Sequence, residues 1–468
     1  MNRKETNSKL PCILAAISLS LNLAFGLVVL CSNPKYLEST FENPNPDAID
    51  YASLCKNIIE NSAFSRASDL GPDALRTPGY PVLMAILRAD LTPIPTYLAQ
   101  SLMFGGIVYM VTRLAKRCFG LFAALFVGML LIGDHTMYVL TWQSLTEISG
   151  LFFFIIGLVL LDWPLRVSWS ELAKIRIGLS GLFFGIAIII RPSFLLVPFA
   201  IVFLEIARSC NPKERCFFSD KLIKLSLLLL LSLGMPAVWV LRNSLLFGLP
   251  KLTPVSTHNL VYFVGAGAFQ VELGIERYEA QAIIADEFRL PTYSIAQNPH
   301  HQNEYSILEI ERSLAAAQWS VVFKYPLSLA KAETIGLIKG SVAHAIPDIA
   351  AILGSTWKNP GIEGMIRMDS KAYGVLFSNS SFLLFFFFLH IAHVMLIFLS
   401  ATLGMYRSVA DFIGSPFLGG LAVVFLSGYL TVALFGIDAV YRSRIVPLPA
   451  LLLFCGYAFR KKIHVHQE

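Results

Sequence analysis

Charge is scarce in this chain: Asp, Glu, Lys and Arg together make up 15% of its 468 residues, while apolar residues make up 55%. A water-soluble surface of ordinary charge density cannot be assembled from that composition, and the mean hydropathy of +0.63 points to an integral membrane protein. Cysteine is sparse too, with seven residues scattered without metal-ligand spacing. Only Cys31 and Cys55 could meet on an oxidising side, so no disulfide framework is expected. No internal repeat is visible, which argues against a transporter built from duplicated halves. No large polar domain follows the last hydrophobic run. The net charge of +6 resides in small groups of Lys and Arg beside hydrophobic runs, a pattern that membrane topology explains without nucleic-acid binding.

What the chain does have is long hydrophobic runs. They fall at about 11 to 31, 96 to 112, 119 to 140, 145 to 161, 175 to 190, 192 to 207, 222 to 241, 379 to 400, 417 to 436 and 445 to 459. Each approaches the roughly 20 residues that cross a bilayer as a helix. The pattern predicts an all-α polytopic membrane protein of about ten spans. Lys and Arg collect at Arg3, Lys4 and Lys9, at Arg113, Lys116 and Arg117, at Arg208, Lys213 and Arg215, and at Arg460, Lys461 and Lys462. The positive-inside rule then makes both termini cytoplasmic. Val28 to Cys31 lacks the small residue of a cleavage site, so the first span reads as a signal anchor.

This topology divides the chain into a cytoplasmic N-terminus with the first span (1–31), a first outer loop (32–95), a block of transmembrane helices (96–241), a long outer segment (242–378), C-terminal spans (379–459) and a cytoplasmic tail (460–468). Tyr51, Leu54, Cys55, Ile58 and Ile59 recur with helical period opposite Asp50, Lys56 and Glu60, predicting an amphipathic helix over about 47 to 61 on the outer surface. In the long outer segment, Ile275 to Arg289 and Gln302 to Phe323 read as helices. Residues 327 to 352 are apolar but interrupted by Lys331, Glu333 and Asp348, which suits an interfacial or re-entrant helix better than a span.

Ionisable groups at membrane depth or at its edge are the candidates for chemistry. Asp47 and Asp50, just past the first span, suit general-base work on an attacking hydroxyl or amine; Asp47 after Asn45-Pro46 equally suits a helix cap. Arg76, Arg191, Arg242, Arg442 and Arg444 all fall near outer ends of spans. Guanidinium groups there bind phosphate oxygens in pairs, or simply anchor helix ends. Glu147 opens the fourth span, as a functional carboxylate or as one favoured by the helix dipole. His390 and His393 share a face of the eighth span, with no clear third metal ligand.

Taken in order, these residues resemble the polytopic glycosyltransferases of the GT-C superfamily, specifically bacterial members related to family 39 and the aminoarabinose transferases of lipid A. Asp47-Ala48-Ile49-Asp50-Tyr51 resembles the family's Asp-x-x-x-Tyr pattern, and Arg76-Thr77-Pro78-Gly79-Tyr80-Pro81 its Arg-x-Pro-Gly-x-Pro element. Thr146-Glu147, Arg191-Pro192, Arg242-Asn243 and Arg442-Ser443-Arg444 follow in the same sequence order. The similarity runs from about residue 11 to 459 and is poorest between about 250 and 378.

The resemblance implies a GT-C-like bundle with outer-face amphipathic helices, and an enzyme that moves a sugar from a polyprenyl-phosphate donor to an extracytoplasmic glycan, lipid or protein acceptor with inversion. Asp47, or Asp50 as its rival, would be the base. Arg76, Arg242, Arg442 and Arg444 would face the donor phosphate, supported by Tyr51, Glu147 and Arg191. A divalent metal is compatible with the superfamily but not indicated by these residues. The implied location is a bacterial inner membrane with the site on its outer face. An O-antigen polymerase or ligase, and a transporter or flippase of lipid-linked sugar, stand as alternatives.

Overall fold

The computed structural model describes residues 3–43, 45–66, 71–161, 171–209, 218–297, 306–358, 370–412 and 447–459. Every regular element among the described residues is helical, and none is a strand. The amino-terminal half holds α1 (Arg3–Ser32), α2 (Pro46–Asn61), α3 (Gly79–Ile86), α4 (Ile94–Phe119), α5 (Leu121–Gly133), α6 (His135–Thr141), α7 (Glu147–Leu161), α8 (Glu171–Ile190), α9 (Leu196–Ser209) and α10 (Phe218–Phe247). The following segment adds α11 (Val255–Asn259), a π-helical turn (Leu260–Gly265), α12 (Ala266–Leu273), α13 (Arg277–Glu287), α14 (Tyr293–Gln297), α15 (Ile307–Val322), α16 (Pro326–Val342) and α17 (Ile346–Ile352). The chain closes with α18 (Ser370–Phe377), α19 (Ser381–Phe412) and α20 (Leu448–Tyr457).

Four described helices are long and apolar enough to cross a membrane: Lys9–Ser32, Ile94–Phe119, Leu222–Phe247 and Ser381–Ser408. Their outward faces carry Leu27, Leu102, Leu230, Val238, Phe385 and Leu399, all more than 60% exposed. Such faces are stable only against lipid. The protein is an all-α, polytopic, integral membrane protein. The run expected at 119 to 140 is two helices, α5 and α6, bent by 56°. Asp134 makes the break, because its side chain accepts the Thr136 N–H at 3.1 Å and so starts a new helix. α7 is shorter, at 15 residues. The run at 417 to 436 lies outside the described residues.

The main core is formed where α1 packs on α4, α4 on α5 and α7, and α8 between α7 and α10, with α19 against α20. Phe104, Val108, Phe154, Phe184 and Leu228 are buried there. A separate apolar cluster around Val261, Tyr262, Phe269, Ile284, Leu314 and Val321 holds this second group of helices together. The ends of those helices are written in the sequence: Ser306 and Glu309 form a reciprocal capping box at α15, and Glu276 and Glu279 do so at α13. Residues 327 to 352 form α16 and α17 with a break between them, and neither counts among the long apolar helices.

Two features of this framework lead to measurable outcomes. A Cβ built on Gly79 lies 2.8 Å from the backbone C and O of Ile189, so the glycine is what lets α3 start against the end of α8. Gly79→Ala must push two backbones apart, and we expect a loss of about 1–3 kcal/mol, read as a lower midpoint of thermal unfolding in detergent. In α16, both carboxylate oxygens of Glu333 are buried without a hydrogen-bond partner among the described residues, and burial pushes its pKa from 4.5 up to about 7. A carboxyl whose folded value lies above its unfolded value stabilises the fold below about pH 4.5, and loses that contribution as the pH rises through about 7. Glu333→Gln therefore raises the unfolding temperature at pH 8 and leaves it unchanged at pH 4; an equal shift at both pH values would show that the carboxyl is not buried.

Candidate active site at the start of the amphipathic helix

The site begins with how α2 starts. Asn45 is its N-cap, with the side-chain oxygen accepting the Asp47 N–H at 3.0 Å, and Pro46 occupies the first helical position where a missing N–H costs nothing. The capping role that the sequence left open for Asp47 thus belongs to Asn45. The Asp47 carboxylate is released to point elsewhere, and one helical turn brings Asp50 to the same side.

Both carboxylates meet Arg76. Its Nη2 donates to Asp47 Oδ1 at 2.7 Å and to Asp50 Oδ2 at 2.7 Å, and its Nε donates to Asp50 Oδ2 at 3.1 Å. Asp50 therefore receives two of the three bonds and Asp47 one. Arg66 approaches from the other side, with Nη1 3.5 Å from Asp50 Oδ1 and Nε 2.6 Å from Asp73 Oδ2. Asp73 in turn accepts the Arg76 N–H at 2.9 Å, which sets the backbone from which the arginine reaches. Burial alone would lower the Arg76 pKa, but Asp47, Tyr51 and Asp50 outweigh it and hold the guanidinium well above its ordinary value.

Tyr51 backs this cluster. Its ring lies under Arg76 Cζ at 5.4 Å and meets the edge of Tyr80 at 5.1 Å. Tyr80, fully buried, donates to Gln100 Oε1 at 3.0 Å, and Gln100 Nε2 donates to Thr141 O and Gln143 O. The proline-glycine element and α2 are in this way tied to the helix bundle. Burial raises the Tyr51 pKa first of all, with the nearby Arg76, Asp47, Glu147 and Arg191 charges partly cancelling, so it remains a phenol.

Glu147 and Arg191 form a second pair that acts on Tyr51. Arg191 Nη1 is 2.9 Å from Glu147 Oε1 and donates to Thr146 Oγ1 at 3.0 Å, with Glu147 1% exposed. Arg242 sits in the last turns of α10, because that helix continues to Phe247, beyond the end expected near 241. Its Nη1 donates to Asp73 O at 2.6 Å and to Asn243 Oδ1 at 2.8 Å, and its guanidinium lies over Trp239 at 4.4 Å. The structure thus brings Asp47, Asp50, Tyr51 and Arg76 together, joins Arg242 to them through Asp73, and gives Arg191 a carboxylate partner. Arg442 and Arg444 lie outside the described residues.

Several groups near the site escaped the sequence reading. Arg66 and Asp73 lack any motif. Tyr293 of α14 feels Arg277, Asp47 and Arg76 electrostatically, although burial is what chiefly raises its pKa. His390 lies apart, its ring 5.0 Å from His135 and 6.0 Å from His344. Among the described residues no group of three or more His, Cys, Asp or Glu is arranged to hold a metal ion. Cys31 and Cys55 are both free thiols.

No protein-family model matches the chain, and no curated protein does. Its structure is similar to the crystal structure of ArnT from Cupriavidus metallidurans bound to undecaprenyl phosphate, at 13% identity over 95% of this chain and 77% of that one, with a TM-score of 0.41. The apo state of the same ArnT matches at 12% identity over 94% and 77%, with a TM-score of 0.37. The archaeal oligosaccharyltransferase AglB from Archaeoglobus fulgidus, in complex with an inhibitory peptide and a dolichol-phosphate, matches at 12% identity over 94% of this chain and 50% of that one, with a TM-score of 0.43.

Proposed function

We propose that the protein is a membrane glycosyltransferase that takes a sugar from a polyprenyl-phosphate donor and transfers it to an extracytoplasmic acceptor. The observation that carries this reading is the pair Asp47 and Asp50 converging on Arg76 at the start of an amphipathic helix, directly after the first span. A carboxylate base and a guanidinium within one hydrogen bond of each other suit a reaction in which a proton is lost from the nucleophile while charge develops on a departing phosphate.

In this mechanism the acceptor hydroxyl oxygen attacks the anomeric carbon, and the bond from that carbon to the phosphate oxygen breaks on the opposite face. The hydroxyl proton passes to the carboxylate, and the bonding pair leaves with the carrier phosphate. One displacement inverts the anomeric configuration. In this reading Asp47 is the base, and Asp50, which takes two bonds from Arg76 and faces Arg66, positions that arginine. Arg76, freed from Asp47, and Arg242, held over Trp239, are the cations for the phosphate. Glu147 and Arg191, already paired with each other, act on Tyr51 through their charges. The site lies on the outer face of a bacterial inner membrane in this reading.

The test is transfer of radiolabelled sugar by purified protein from a panel of polyprenyl-phosphate donors to membrane extract. Transfer with inverted configuration supports the reading. Retained configuration rejects the single displacement, and movement of intact lipid-linked sugar across liposomes without transfer makes the protein a carrier.

A further inference from the structure

A second polar cluster adjoins the carboxylates and has no part in the proton and phosphate chemistry. After α10 the chain passes through Lys251 and Thr253, and Thr253 Oγ1 donates to Leu75 O at 2.6 Å, one residue before Arg76. Lys251 Nζ bonds to Glu311 of α15 and to Thr257 Oγ1 at 3.0 Å, while Thr257 Oγ1 donates to the same Glu311 oxygen at 2.7 Å. The other oxygen of Glu311 is buried with no hydrogen-bond partner among the described residues, in a side chain only 2% exposed. His258, next to Thr257, is 5% exposed. Burial, then Lys251 and Arg66, push its pKa down to about 4, so it is neutral at physiological pH. Arg66, which acts on His258, is the same arginine that stands 3.5 Å from Asp50, so the two clusters are neighbours.

The charges of this cluster are matched, Lys251 against Glu311, so it offers no surplus to a second anion. It offers a buried carboxylate oxygen that lacks a donor. A buried acceptor without a partner is costly enough to call for a donor. A sugar hydroxyl supplies one without adding charge, whereas a phosphate would set negative charge against the Glu311 oxygen. The geometry points to Thr257 and Glu311 as the subsite for the transferred sugar of the donor, an uncharged sugar whose hydroxyl donates to Glu311 Oε2. This rests on the glycosyltransferase reading and adds to it the class of sugar and the residues that hold it.

The experiment compares binding of undecaprenyl phosphate with binding of undecaprenyl-phosphoryl-glucose, -mannose and -galactose, using the full chain in nanodiscs. Wild type is expected to prefer at least one glycosylated carrier by about tenfold, and Glu311→Gln and Thr257→Val to lose that preference. Affinity for the bare carrier should stay within about twofold, since its phosphate contacts are independent of these side chains. Thermal unfolding in the same nanodiscs identifies any variant that fails to fold, and the two substitutions act on different atoms, so one folded variant suffices. Variants that keep the preference, or that lose both ligands equally, overturn the subsite. So does a wild type that transfers sugar yet prefers no glycosylated carrier, which leaves the enzyme reading standing. A wild type that transfers sugar from no donor removes that reading and the subsite with it.

Discussion

Asp47→Asn is expected to lower kcat for sugar transfer by about 10²–10⁴-fold, the usual contribution of a general base, while the unfolding temperature stays near that of the wild type. The amide keeps an oxygen where Oδ1 accepts from Arg76 Nη2, and the start of α2 is held by Asn45 in either case. The ability to take a proton is lost. Asp50→Asn should behave differently. Asp50 takes two bonds from Arg76 and faces Arg66 at 3.5 Å, so the change loosens both arginines and appears as a higher KM for the donor and a lower unfolding temperature. Single-turnover transfer with each variant, alongside thermal unfolding, separates the two. The roles are exchanged if Asp50→Asn abolishes turnover at wild-type stability while Asp47→Asn remains active.

Glu147→Ala is expected to cost about 3–5 kcal/mol of stability, the range for removing one member of a buried ion pair. Glu147 is 1% exposed, and its loss strands an Arg191 side chain that is 14% exposed and that also donates to the Thr146 hydroxyl. The double variant Glu147→Leu/Arg191→Met should regain most of that loss, because two apolar side chains replace the pair without leaving a bare charge. Denaturant titration of the single and double variants checks this. A double variant no more stable than Glu147→Ala would mean that the pair is held by more than mutual neutralisation.

How much of this was legible in the sequence varies from residue to residue. The amphipathic helix after the first span was expected at about 47 to 61 and is found at Pro46–Asn61, because its period and its Asn-Pro start are local signals. The role of Asp47 was not legible, since Asn45 and Asp47 are both good capping residues and only the backbone decides which of them caps. The run at 119 to 140 read as one helix because apolar content dominates a sliding window. The break at Asp134 depends on a single cap hydrogen bond that such a window does not register. The extension of α10 past Arg242 was missed for the opposite reason: an arginine ends a hydrophobic run without ending a helix.

The sequence by itself determined the material and the local geometry: a chain too poor in charge to be water-soluble, all-helical periodicity, and where α2 and the capping boxes of α13 and α15 begin. These depend on composition and on interactions within a few residues. Tertiary structure alone decided the partnerships. Arg76 meets carboxylates 26 and 29 positions earlier, and Lys251 meets Glu311 across 60 positions. Tyr293 feels the charge of Asp47 from a distant part of the chain. Low charge content makes each such encounter consequential, because a charge in this environment must find an opposite one. Which one it finds is set by how the helices pack, and packing is a property of the whole chain.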